Sequence, residues 1–166
     1  MPLVVFSSLP DDARVWIFGS SRALDRANQD LLLNAVDDYL SGWRAHGSPL
    51  TVGREWRDDR FLAIAVDQRD TNASGCSLDA LFRVLRDVES RVGLSLLSSS
   101  LVYFRLPDET VSVTDRAGFA CLAQDGSIGP DTHVFDLSAQ TVGEWRKSFE
   151  VRASDAWHRA LLPVAV

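Results

Sequence analysis

The segment Asn72-Ala73-Ser74-Gly75-Cys76-Ser77 carries the residue types best suited to chemistry in this chain. It sits between an apolar run and an amphipathic stretch, so it is expected to open a helix. Backbone N–H groups in a first helical turn lack intrahelical partners and carry partial positive charge. A thiol placed there has its thiolate favoured, which makes Cys76 a candidate nucleophile or redox centre. The same amides would hold a phosphate or another small anion, with Asn72, Ser74, Gly75, Ser77 and Asp79 as candidate ligand-binding residues. A structural role accounts for these residues more simply: Ser74 or Ser77 caps the helix, Gly75 permits the turn, and Cys76 packs as a small apolar side chain.

A nucleophilic cysteine needs a base and a group to orient it. His46, at the end of an amphipathic stretch, and His158, after Trp157, are the candidate bases; His133 receives no role. A histidine at a helix end is also read as a solvated residue favoured by the helix dipole. Asp67, with Asp70 and Asp79, could meet a divalent cation, although loop carboxylates and caps have the same spacing. There is no His-x-x-x-His and no Cys-x-x-Cys, so neither a metal nor a cofactor is expected. Trp16 and Trp43 read as core, whereas Trp145 and Trp157 could anchor a contact to another chain.

The elements that must position these groups follow from periodicity. Arg14 to Ser20 is a short apolar run and reads as a first strand. A helix capped by Asp25 places Leu32, Val36, Tyr39 and Trp43 on one face and ends near His46-Gly47. Leu50 to Arg57 and Arg60 to Asp67 form a hairpin around Asp58-Asp59, and Leu78, Leu81, Leu85, Val88 and Val92 mark a second helix ended by Gly93. Leu101 to Leu106 is a fourth strand and Thr110 to Val113 a short one.

The order β-α-β-β-α-β predicts an α+β fold, a ferredoxin-like sheet over residues 1–111 with both helices on one face. Its first and third strands are apolar on both sides, as central strands are, so the face opposite the helices is expected to be covered. Residues 112–166 form a C-terminal α/β extension that would supply this cover, unless a partner does. Within it Asp115 caps a short helix, Thr141 and Glu144 have capping-box spacing, and a last helix starts at Ser154 or Asp155.

The length of 166 residues, with 46% hydrophobic and 24% charged, suits one globular domain with an appendage. The net charge of −6 argues against a non-specific nucleic-acid binder and against attraction to an anionic membrane. No leader or membrane-spanning run is read, and two distant cysteines, Cys76 and Cys121, read as reduced thiols. The expected location is therefore the cytoplasm.

The strings His46-Gly47-Ser48-Pro49-Leu50, Ala73-Ser74-Gly75-Cys76-Ser77-Leu78-Asp79 and Ser154-Asp155-Ala156-Trp157-His158 resemble those of an uncharacterised family of small bacterial proteins. The resemblance runs from Leu9 to about Leu161, and members often carry the label "ABC transporter ATPase". The chain has no G-x-x-x-x-G-K-[ST] loop, and its one lysine, Lys147, lies in Gly143-Glu144-Trp145-Arg146-Lys147-Ser148. What the resemblance implies is a soluble bacterial protein, with no activity attached. Taken together, the expectation is a protein-interaction or small-ligand-binding module, acting as a homodimer or with a protein partner. The alternatives are a thiol-dependent enzyme built on Cys76 and an anionic-metabolite binder at Ser74–Ser77.

Overall fold

The computed structural model describes residues 3–69 and 73–164. The chain divides into two compact units, Met1–Leu97 with Ala139–Trp145, and Ser98–Ser138 with Arg146–Val166.

In the first unit, strands β1 (Arg14–Gly19), β4 (Thr51–Arg57) and β5 (Phe61–Asp67) form an antiparallel sheet in the order β1–β5–β4. Central β5 is buried along all of Phe61 to Val66, which explains its unbroken apolar run. Helix α1 (Arg26–Ser41) begins where the Asp25 carboxylate accepts the Asn28 N–H at 2.9 Å. Helix α2 (Gly75–Val92) ends at Gly93, whose φ of 73° allows the left-handed cap. Leu32, Val36 and Leu40 of α1 and Leu81, Leu85 and Val88 of α2 pack with Leu62, Ile64 and Val66 of β5 in one core. Arg54 of β4 clamps Asp37 of α1 through two hydrogen bonds of 2.7 and 2.8 Å.

Helix α1 stops earlier than its periodicity suggested. Trp43 is 2% exposed, and the chain then forms a small ribbon of β2 (Arg44–Ala45) and β3 (Ser48–Pro49). His46 and Gly47 are its two turn residues, with φ of 52° and 81°, so His46 lies at a hairpin tip rather than a helix end.

The face of the sheet opposite the helices is covered by the unit's own chain. A Cβ on Gly53 would lie 3.0 Å from the Val4 carbonyl and 3.1 Å from Phe6 Cα, so the N-terminal segment crosses directly over β4. Trp145 joins this layer, with its ring 6.1 Å from Phe6 and its Nε1 donating to Glu55 at 3.1 Å. The outer edge of β1 meets residues 140 and 141: Arg14 bridges Thr141, and the Val15 N–H donates to the Gln140 carbonyl at 3.0 Å.

The expected fourth strand goes elsewhere. β6 (Leu101–Arg105) pairs with β7 (Val111–Asp115) and β8 (His133–Phe135), and β9 (Glu150–Arg152) completes the order β7–β6–β8–β9 in the second unit. A tight turn drives this choice: the Leu106 N–H donates to the Thr110 carbonyl at 2.8 Å, and Glu109 takes a φ of 72°. Closing a short hairpin costs far less chain entropy than returning to a distant edge. The chain is thus mixed α+β, with three strands in its first sheet where the ferredoxin-like expectation has four.

Helix α3 (Arg116–Gln124) is capped by Asp115, which accepts the Gly118 N–H at 2.7 Å, and packs Phe119 against Phe104 at 5.7 Å. At the start of α4 (Val142–Ser148), the Glu144 N–H donates to Thr141 Oγ1 at 3.2 Å, while the Glu144 carboxylate accepts from the Gln140 N–H at 2.6 Å. The last expected helix is replaced by 3-10 turns at Ala153–Asp155 and Trp157–Leu161, because Ala156 between them is extended at φ −122° and ψ 176°. Among the described residues, no helix is long and apolar enough to cross a membrane.

Candidate functional site

Ser74 is the N-cap of α2. Its hydroxyl accepts the Ser77 N–H at 3.2 Å, and the Ser77 hydroxyl donates back to the Ser74 carbonyl at 2.8 Å. The Tyr39 hydroxyl donates to the Ser77 carbonyl; burial pushes this phenol above its ordinary value, partly opposed by Arg83, so it stays a neutral donor. Both serine hydroxyls are therefore engaged inside the turn itself. Gly75, Cys76 and Asp79 are exposed, and a side chain at Gly75 would meet nothing within 4 Å. Asn72 lies outside the described residues, as does Asp70.

The two candidate bases are not gathered at the cysteine. His46 is exposed at the β2–β3 turn, and His158 belongs to the second unit. Among the described residues, neither hydrogen-bonds to the Cys76 sulfur. His158 is fully buried, stacked on Trp157 with centroids 3.9 Å apart, and neither ring nitrogen has a hydrogen-bond partner among the described residues. Burial lowers its pKa to about 4; Asp136 opposes this and Arg116 adds to it. It is a neutral core residue at neutral pH.

Asp67 is engaged by Arg69, whose Nε donates to both carboxylate oxygens at 2.9 and 3.0 Å. These hydrogen bonds hold the Asp67 carboxyl below its ordinary range. No group of three or more metal-ligating side chains occurs among the described residues.

The second unit brings together a set of residues that composition and spacing do not single out. Arg105 at the end of β6 grips Glu150 of β9 in a bidentate pair, Nε to Oε2 and Nη2 to Oε1, both 2.8 Å. Each side chain of the pair is only 15% exposed. Arg105 Nη1 also donates to the Glu109 carbonyl at 2.6 Å, and the guanidinium lies 5.1 Å from the Phe135 ring centre. Glu150 Oε2 is in addition 3.1 Å from Nδ1 of His133, the first residue of β8. A carboxylate can only accept, so it holds the His133 proton on Nδ1 and leaves the Nε2 lone pair available in the neutral ring. The His133 side chain is 54% exposed, so this nitrogen is reachable in a way that those of His158 are not.

His133 and Arg105 line an open cleft of about 400 Å³. Leu106, Pro107 and Ile128 supply its apolar wall, and Glu109 and Asp131 its carboxylates. A second hollow of about 430 Å³ runs along the 3-10 turns from Ser154 to Ala160, where the exposed Asp155 is paired with Arg152 at 3.0 Å. The first cleft has the better-built wall, since its histidine and arginine are fixed by one shared carboxylate.

No family model, no curated protein and no solved structure matches this chain. The functional reading rests on geometry alone. A base held by a carboxylate beside a cleft is chemically able to orient a small molecule, and general-base catalysis uses the same pairing. The available signal in the sequence was slight: an arginine closing an apolar strand, and a histidine opening the brief Val134-Phe135 run. Glu150 lies 45 residues from Arg105 and 17 from His133, and only strand pairing brings them together.

Proposed function

We propose that the chain is a small-ligand-binding module whose site is the cleft of the second unit, with His133 as its principal polar contact. One observation carries this reading: Glu150 fixes both Arg105 and His133 on the wall of an open cleft. A side chain already held by a partner loses little freedom when a ligand arrives, so more of the contact energy is available for binding. The apolar wall of Leu106, Pro107 and Ile128 would cover the body of the ligand while His133 Nε2 accepts its hydrogen bond.

The first unit reads as a variant of the ferredoxin-like arrangement. Its order β1–β5–β4 and its two helices in one core favour that reading, with residues 140 and 141 beside β1 where a fourth strand would lie. Two free cysteines favour a reducing compartment, in keeping with a cytoplasmic bacterial protein.

The test is a fragment screen on the full chain followed by NMR. Binding fragments should move the His133 ring and Ile128 methyl signals first. Hits that move only the signals of residues 74–79, or a screen with no hits, would count against the cleft.

A further inference from the structure

We infer that the cleft selects organic cations, an amine or guanidine carried on a small apolar body. This rests on the cleft being a ligand site, as proposed above, and adds the class of ligand.

The guanidinium of Arg105 is the strongest donor on the wall, yet its Nε, Nη1 and Nη2 already donate to Glu150 and to the Glu109 carbonyl. Its charge is matched by Glu150, so the pair presents no net attraction to an anion. His133 donates its Nδ1–H to the same carboxylate, and in the neutral ring its Nε2 is an acceptor. The Ser127 hydroxyl donates to Asp125, which leaves its oxygen lone pairs, and the Thr132 hydroxyl accepts from the Gly129 N–H and keeps its proton.

The carboxylates have the opposite character. Glu109 lines the cleft, is exposed, and makes no side-chain hydrogen bond or ion pair among the described residues. Asp131 also lines it, is exposed, and meets Arg152 at 3.6 Å. The cleft therefore offers two carboxylates and, in the neutral ring, an imidazole lone pair, beside a guanidinium whose charge Glu150 already balances. An anion would face those carboxylates with the guanidinium already engaged. A cation would replace part of its hydration with charge-assisted hydrogen bonds, while its carbon skeleton lies on Leu106 and Ile128. The chain's net charge of −6 adds a general attraction for positive ligands at low ionic strength.

The experiment titrates the full chain with two groups of probes, agmatine and phenethylamine on one side, acetate and inorganic phosphate on the other. NMR of the His133 ring and the Ile128 methyl groups is the readout. The expected result is saturable movement of both signals by an amine probe and none by the anions. The double variant Glu109→Gln with Asp131→Asn should bind the amine about ten-fold more weakly, as the loss of charge assistance implies. Both positions are exposed, so the fold should survive the exchange, and the amide dispersion of the spectrum checks that.

Saturation by an anion and not by an amine would overturn the cation class and leave the cleft standing as a ligand site. An amine that binds wild type and double variant equally would also overturn it. Silence from both groups would overturn the class, and the cleft reading itself then turns on the fragment screen.

Discussion

The turn at Ser74–Ser77 and the cluster of Arg105, His133 and Glu150 hold similar promise on paper and differ in how they are built. The turn is local: its serine hydrogen bonds join residues three apart, and the long-range hydrogen bond from Tyr39 ends on a backbone carbonyl. Its thiol faces solvent at the start of a capped helix. The cluster draws on three strands, its central ion pair is largely buried, and it borders a cleft. Reactive residue types at a helix start mark a place where chemistry could occur. A side chain held by distant partners beside a cavity is a place where the fold has been used to prepare it.

The largest effect separates the two histidines of the second unit. His158 has a folded pKa of about 4 against an unfolded value near 6.5. Between these values the unfolded state binds more protons, so stability is complete above pH 6.5 and falls as pH drops toward 4. The loss approaches about 3 kcal/mol over that window. Urea unfolding at pH 7 and pH 4.5 reads it, and His158→Phe should flatten the dependence. An unchanged slope in that variant would assign the acid sensitivity to other groups.

Next in size is Glu150→Ala. It leaves the Arg105 guanidinium without its partner while 15% exposed, and should cost roughly 2 kcal/mol, below the range for a fully buried pair. Arg105→Met with Glu150→Leu should recover much of that loss in the same unfolding assay, yet still fail to bind a cleft ligand. Recovery of both would make the network a matter of stability alone.

Smaller again is Ser74→Ala, which removes the N-cap of α2 and should cost about 1 kcal/mol by thermal unfolding. Cys76→Ala, at an exposed position with no packing role, should fall within about 0.5 kcal/mol of wild type. A Cys76 effect larger than that of Ser74 would show that the turn does more than begin a helix.

The regular parts of this architecture were legible because local rules govern them. Asp25, Ser74 and Asp115 cap helices as their residue types suggest, and the buried run of β5 marks a central strand. The destination of β6 was not legible, since a strand's partner depends on the competition between a near hairpin and a far edge. The tail misled for a related reason: the weak amphipathic pattern from Ser154 to Leu162 does not reveal that Ala156 is extended. His46 and His158 drew attention by their place in the chain, but one is a turn residue and the other is enclosed. His133 carries no such local signal, because its partner, Glu150, becomes its neighbour only when β8 and β9 pair.

The most direct test compares one fragment hit on three full-length proteins by titration calorimetry: wild type, His133→Ala and Cys76→Ala. The cleft account predicts that binding is lost or weakened at least about ten-fold in His133→Ala, as expected for removal of the main polar contact, and unchanged in Cys76→Ala. Binding that persists without His133 and disappears without Cys76 would contradict it and return the function to the turn at the start of α2.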